Sequence, residues 1–381
     1  MRPVSLTWCE NIALLLAFAV ISWAGMPAFS SQPTPAVLEG LPSREEILGI
    51  MHKVNCWQSA HPIMPAGNRT WERATWYTGV MSAWKETGDH RFLNQALDWG
   101  RQHHWQVGTE PGGANRLFCV ETWLELFQVK NDRAMIEPTI LWLNTPELNS
   151  PAGAKRWYLE AWGENHTYVD SLYGAPALAM LAKATQDKKY LEIMQAFFDD
   201  VTGELFDKES GLYYRDGRFI GRRTANGRKV IWSRGNGWAF GAIARILEYL
   251  PKDHPGKPEY LRIFRRMASE LVKRQGADGL WRPNLDDAEA VPVPETSGTG
   301  FFCYGLAWGI NHGLLEPSIY LPAVVKAWGG LCRNVTPGGK VLRGQSVDFE
   351  PNAVKQESTH EYVTGTFLLA GSQVYTLSAA K

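Results

Sequence analysis

The sequence predicts an all-α fold, a closed (α/α)6 barrel built from six helical hairpins. Three observations carry this. From residue 43 onward, apolar residues recur at helical spacing in one segment after another, broken by Gly, Pro, Asn and Asp, without sustained strand alternation. An order also repeats every 45 to 70 residues: a long apolar helix, a short polar turn carrying Asp, then an amphipathic helix. Recurrence at such periods marks a helical array or toroid. Finally, six such hairpins need about 350 residues, which is what remains of the 381 once an N-terminal leader is removed.

The N-terminus stands outside this pattern. Met1-Arg2 and a polar stretch precede the apolar run Ile12–Ala24, and Ala28-Phe29-Ser30 fits a small-x-small cleavage site. Residues 1–30 are therefore expected to be a secretory signal peptide, cleaved near Ser30, since the apolar run is too short to span a bilayer. A periplasmic or secreted location follows. Residues 31–42, rich in Pro and Ser, form a flexible leader, and 43–381 a single barrel domain. Ser43 and Glu46 give the first helix a capping-box pattern. The hairpins then read in order. Thr75–Lys85 is followed by a turn at Asp89, Leu117–Gln128 by Asp132, Leu172–Ala184 by Asp187, and Ala239–Leu250 by Pro258. Further inner helices open near Glu295 and His360. Short extended pieces are expected at 212–219 and 229–232. The apolar helices form the inner ring and the amphipathic ones the outer ring. Long connections at 101–116, 145–169, 200–231 and 276–298 precede inner helices. They gather at one end and build the site there, as loops on a rigid scaffold do.

A formal net charge of +0 leaves no electrostatic footprint for nucleic acid or an anionic membrane surface. Aromatics make up 12% of the chain, with 17 tryptophans, an enrichment that suits sugar stacking and equally suits a large helical core. Beyond Cys9 the cysteines are Cys56, Cys119, Cys303 and Cys332. Their spacing matches neither a zinc site nor a dense disulfide framework, and an oxidising compartment permits one or two disulfides as well as free thiols.

The most distinctive stretch is Trp232-Ser-Arg-Gly-Asn-Gly-Trp238, leading into an apolar helix. It is expected to be a turn in which Gly235 and Gly237 free the backbone and clear space beside Arg234. Arg234 can grip a carboxylate with its planar fork. Asn236, Trp232 and Trp238 complete that wall. Asp170 opens an inner helix beside His166, Tyr168 and Tyr173, either as an N-cap or as a carboxylate at the barrel mouth. Asn115 holds the equivalent place one hairpin earlier. Glu121 falls on an apolar helix and needs a partner, which makes it a second-choice acid. Arg215 and Asp216 follow an extended Gly-Leu-Tyr-Tyr. Glu295, Thr296 and Ser297 open one inner helix and His360 the last, and with Asn115, His166, Tyr173 and Arg215 they are candidate substrate contacts. The chain contains no Gly-x-Ser-x-Gly, His-Glu-x-x-His, Cys-x-x-Cys or P-loop pattern, so no metal or cofactor is expected.

With these pieces in order, the chain resembles the unsaturated glucuronyl and rhamnogalacturonyl hydrolases of glycoside hydrolase families 88 and 105. The resemblance spans nearly the whole chain after the leader. It rests on Trp232–Trp238, then on Val169-Asp-Ser-Leu-Tyr-Gly-Ala-Pro176, Glu295-Thr-Ser-Gly-Thr and Gly365-Thr-Phe-Leu-Leu-Ala-Gly-Ser. It implies an (α/α)6 barrel acting on oligosaccharides whose non-reducing end is a 4,5-unsaturated uronic acid left by a polysaccharide lyase. It implies hydration of the C4=C5 bond, with Asp170 as the acid. Arg234 would hold the substrate at its carboxylate, and Trp238 would pack on the sugar ring. Two positions depart from the family pattern. Many relatives carry Asp where this chain has Asn115 and His where it has Arg215. The expected consequence is a differently decorated or more anionic substrate, or a modified proton route. Two alternatives stand beside this reading: an inactive sugar-binding member of the fold, and a two-carboxylate glycosidase pairing Asp170 with Glu121 or Glu295.

Overall fold

The computed structural model describes residues 40–110, 113–149, 157–161 and 164–380. The expected signal peptide and residues 31–39 of the leader lie outside the described residues. The first hairpins comprise α1 (Arg44–Ala60), α2 (Trp71–Thr87), α3 (His90–Gln102), α4 (Phe118–Lys130), α5 (Glu137–Leu143) and the single turn α6 (Pro146–Asn149). The later ones comprise α7 (Ala175–Thr185), α8 (Lys189–Leu205), α9 (Ser233–Tyr249), α10 (Lys257–Lys273), α11 (Ser297–Asn311), α12 (Pro317–Arg333) and α13 (Glu361–Leu377).

Local signals account for the helix ends. Ser43 Oγ accepts from the Glu46 N–H at 3.2 Å while Glu46 Oε2 accepts from the Ser43 N–H at 2.8 Å, completing the capping box. Gly88 closes α2 in the left-handed conformation, φ 71°, and Asp89 then caps α3 by accepting from the Arg91 N–H at 3.0 Å. Pro258 and Pro317 sit in the first turns of α10 and α12, where a missing N–H costs nothing.

The apolar helices close a ring: α2 packs on α4, α4 on α7, α7 on α9, α9 on α11, α11 on α13, and α13 back on α2. The closing seam is the tightest. A Cβ on Gly79 would lie 2.3 Å from the Gly365 carbonyl oxygen, and one on Gly365 would lie 2.2 Å from that of Thr75. Only glycine lets α2 and α13 approach so closely. The amphipathic helices lie outside: α3 on α2, α8 on α7, α10 on α9, α12 on α11, and α1 on α13. Inner helices are buried nearly all round, as in α9 and α11, whereas α3 buries one stripe through Phe92, Leu93, Ala96 and Leu97.

Several expectations are refined. The piece at 212–219 reduces to strand β4 (Leu212–Tyr213), the fourth in chain order, paired antiparallel with β3 (Phe206–Asp207). The earlier two-residue pair is β1 (Glu160–Ala161) with β2 (Glu164–Asn165). Trp232–Trp238 is not a turn. Helix α9 begins at Ser233, and Gly235 and Gly237 are ordinary helical residues serving close approach. A Cβ on Gly235 would lie 2.7 Å from the Trp232 ring, and one on Gly237 3.0 Å from the Phe301 ring. The four cysteines are free thiols, two of them buried. No helix among the described residues is long and apolar enough to cross a membrane.

Candidate active site

Three of the four long connections, 101–116, 145–169 and 200–231, converge as expected, around a cavity of about 1180 Å³. The start of α2 brings Trp71, the segment before α4 brings Asn115, and the 3-10 turn Val169–Gly174 before α7 brings Asp170. The segment after β4 brings Arg215 and Asp216, and the start of α9 brings Trp232, Arg234 and Trp238. The wall is aromatic. Trp71 meets Trp238 edge-on with ring centroids 5.7 Å apart, and Trp238 packs on Phe118 and Phe301 at 5.8 and 4.6 Å. Such faces suit the apolar side of a sugar ring.

Asp170 is half-buried, its side chain 17% exposed. Its Oδ2 accepts from Arg215 Nε at 3.3 Å and Nη2 at 3.2 Å. Its Oδ1 is buried without a hydrogen-bond partner, 3.5 Å from where a Cβ on Gly235 would stand. Burial pushes the Asp170 carboxyl up; Arg215 and Arg234 pull it back and Asp216 pushes it up again, leaving it above the ordinary carboxylate range. Arg215 itself is buried and anchored from its other end, with Nη1 donating to Asp216 Oδ2 at 2.8 Å. Burial alone would raise Asp216, but hydrogen bonds from Arg218 and Arg215 outweigh it and hold this carboxylate at about 2. Asn115 Oδ1 accepts from the Tyr168 hydroxyl at 3.2 Å, and Arg215 lies over the Tyr168 ring at 5.3 Å.

Seven of the residues read from sequence line the cavity: Asn115, His166, Asp170, Arg215, Trp232, Arg234 and Trp238. Arg234, however, does not stand ready for a carboxylate. Its Nη1 donates to the Gln345 carbonyl at 2.8 Å, and its Nη2 donates to the carbonyls of Ser346 and Asp348 at 2.9 and 3.2 Å. Sandwiched over Trp232 and Tyr362, it clamps the loop that carries Val347, Asp348 and Phe349 into the cavity.

Six others are corrected to supporting places. Asn236 is buried and ties β4 to α9, accepting from the Tyr213 N–H at 2.8 Å and donating to the Tyr213 carbonyl at 2.9 Å. Tyr173 lies behind the wall, 4.9 Å from the Trp238 ring. Glu295 accepts from Ser233 Oγ and Ser297 Oγ, each at 2.6 Å, and from the Gly298 N–H at 2.9 Å. It caps α11 and pins the start of α9. Ser297 is spent on that cap, and Thr296 donates to the Leu342 carbonyl at 2.8 Å. His360 caps α13 through Nδ1, which accepts from the Glu361 N–H at 3.0 Å, and burial lowers its imidazole to about 4.

Sequence reasoning missed Trp71, Glu204, Arg218 and the loop at 347–349. The positional rule that selected the other loops also selects the one before α13. The loop at 276–298, conversely, lends the cavity no residue. Among the described residues no cluster of His, Cys, Asp and Glu could hold a metal ion.

One carboxyl acts through the wall. Glu110 Oε1 accepts from the Trp71 N–H at 2.5 Å, and burial raises this carboxyl to about 7. A raised carboxyl contributes stability below its unfolded value and loses it as pH climbs through the folded one. The Glu110→Gln variant is therefore expected to melt increasingly above the parent as pH rises from 5 to 8. A melting difference that stays flat across that range would contradict the assignment.

The chain matches the model of Glycosyl Hydrolase Family 88 over residues 46–378. It is 32% identical over 348 residues to an unsaturated 3S-rhamnoglycuronyl hydrolase of Formosa agariphila, covering 88% of this chain and 92% of the relative. Among solved structures, a family 88 glycosyl hydrolase from Bacteroides vulgatus is 30% identical, with a TM-score of 0.77, covering 88% of this chain and 100% of the other. A protein described as a polysaccharide lyase is 29% identical, with a TM-score of 0.76, covering 87% of this chain and 97% of its own.

Proposed function

The chain belongs to glycoside hydrolase family 88, and from that membership we propose that it removes a non-reducing-end 4,5-unsaturated uronic acid from the oligosaccharides that polysaccharide lyases leave. The reaction is hydration of the C4=C5 bond. Asp170, in its acid form, gives a proton to C4. Water adds at C5, and Asp170 takes back a proton from it. The resulting hemiketal opens to a C5 ketone, and the C1 hemiacetal expels the rest of the saccharide with a proton on its oxygen. One observation carries this reading: Asp170 lines the cavity with a side chain 17% exposed, and its Oδ1 has no partner inside the protein. Burial favours the protonated form that the first step needs. Trp71 and Trp238 supply flat faces for the sugar.

The two-carboxylate alternative loses both partners that the sequence offered for Asp170. Glu121 is buried in the barrel interior and held by Arg245 at 2.5 Å, and Glu295 caps α11. Neither lines the cavity. A second reading with support is β-elimination by the same pocket. Arg215 could neutralise a uronate carboxylate, and Tyr168 lies beside it, joined to Asn115; the likeness to a polysaccharide lyase agrees with this.

The ultraviolet absorbance of the conjugated alkene separates these readings. Incubated with lyase digests of pectin, ulvan, arabinogalactan and glycosaminoglycans, the enzyme is expected to bleach at least one of them. A rise in absorbance on the undigested polymers would instead support elimination. Binding with no change would mean a sugar-binding protein without turnover. The substrate is a polymer fragment, so we also propose that the enzyme is exported after cleavage near Ser30, which N-terminal sequencing of the exported protein would read directly.

A further inference from the structure

Arg215 is an unusual neighbour for a proton donor. A guanidinium beside a carboxylate favours the ionised form, and the proposed acid must be neutral when substrate arrives. The details of the contact suggest how the conflict is resolved. The side of Arg215 facing Asp216 is firmly made, with Nη1 to Oδ2 at 2.8 Å. The opposite edge, Nε and Nη2, reaches one Asp170 oxygen at 3.3 and 3.2 Å. Strong forked pairs are shorter, roughly 2.7–2.9 Å, and use two oxygens. Asp170 thus occupies the carboxylate-binding edge of a pre-anchored arginine without satisfying it. The other candidate for the substrate carboxylate, Arg234, has its terminal nitrogens committed to the carbonyls of Gln345, Ser346 and Asp348.

We infer that the uronate carboxylate displaces Asp170 from the Nε/Nη2 edge of Arg215, and that Asp170 takes up one proton from solvent as it is released, so that binding loads the acid. This rests on the reading of the cavity as a uronate site and adds to it a partner exchange and a proton count. The bonds balance simply. One ion pair breaks, another forms on the same guanidinium edge, and a solvent proton joins the Asp170 carboxyl. The groups around Asp170 permit this. His166 and Tyr168 come from its own segment, Glu204 from α8, Asp216 and Arg218 from the segment after β4, Arg234 from α9, and Asp348 from the loop before α13. Asp216 stays with Arg215 and Arg218 throughout, and its carboxyl, held at about 2, does not compete for the proton near neutral pH. Once the Arg215 edge turns to the ligand, burial and the Asp216 charge both favour the neutral acid, and the remaining pull of Arg234 is divided with the loop it clamps.

Calorimetric titration of wild-type protein with methyl β-D-glucuronoside tests this. The probe carries the carboxylate but no alkene, so the outcome is independent of whether hydration occurs. Titrations at one near-neutral pH in buffers of different ionisation enthalpy give the number of protons bound. Wild type is expected to take up close to one proton per uronate. Asp170→Asn should bind the probe and take up none. Arg215→Gln should bind it about tenfold more weakly or worse, with Arg215→Lys recovering part of the loss. The uncharged methyl β-D-glucoside should cause no uptake. Wild-type binding with no more uptake than Asp170→Asn would overturn the inference. So would undiminished uptake in Arg215→Gln, or failure of wild type to bind the uronate. Loss of alkene absorbance alongside any of these would leave the proposed activity standing and remove only the exchange.

Discussion

Asp170→Asn is expected to abolish turnover, lowering kcat on an unsaturated uronyl oligosaccharide by about 10³-fold or more while the protein stays folded. The range follows from what a positioned general acid contributes, roughly 10²–10⁴, extended because the same carboxyl acts in both proton transfers. Asparagine keeps the shape of the side chain and its place beside Gly235, but has no proton of suitable acidity to give. Arg215 would retain Asp216 as its anion, so the substitution strands no buried charge. Wild-type activity should also fall as pH rises through the Asp170 value, because the acid form is the active one and burial already holds that value above the ordinary range. Steady-state rates measured across pH, beside melting curves of both proteins, check each part. A variant that keeps a tenth of the activity would remove Asp170 from the mechanism.

The largest expected effect on stability lies in the barrel interior. Arg245, buried on α9, donates from Nε to Glu121 Oε2 at 2.5 Å and from Nη2 to Glu125 Oε1 at 3.0 Å, and Tyr249 also donates to Glu125. Arg245→Met is expected to cost about 3–5 kcal/mol, because it leaves two acids in an apolar interior without their cation. Most of that cost is desolvation. Adding Glu121→Gln and Glu125→Gln to Arg245→Met should therefore recover a substantial part, even though the triple variant has fewer polar contacts than the parent. The single variant should also lose less at acid pH, where the stranded Glu121 protonates. Urea denaturation at pH 5 and pH 8 reads both effects. A single-variant loss under about 0.5 kcal/mol, the usual size for surface changes, would mean that this triad does not hold the barrel.

The two cases show what the chain discloses without coordinates. The hairpin order was legible because inner and outer helices bury different fractions of their surface. An all-round apolar run such as Phe301–Ile310 and a one-sided stripe such as Phe92–Leu97 carry that difference in their residues. Asp170 and the Trp232–Trp238 stretch were legible as chemistry at the opening of inner helices. What Arg234 touches was not. Its partners are backbone carbonyls 111 to 114 positions away, and a carbonyl has no letter in the sequence. Glu295, Ser297 and His360 were read as substrate contacts because polar residues at a helix start look the same whether they face a ligand or cap the helix. Glu295 caps α11 by bonding Ser297 and Gly298, and its third partner, Ser233, lies on α9. Glu121 was correctly marked as needing a partner, but nothing local names Arg245, which is 124 positions distant. Trp71 was passed over because one more tryptophan in a chain of 17 carries no signal until α2 is placed at the mouth.

The central claim is that Asp170 protonates C4 and that the saccharide leaves as a consequence. Its most direct test is a single turnover in deuterated water, quenched early and followed by NMR. The account predicts one deuterium at C4 of the released uronic acid, present from the first product formed, with the C4=C5 bond lost no later than the saccharide appears. Saccharide released while the uronic acid still holds its C4=C5 bond and carries the solvent oxygen at C1 would contradict it.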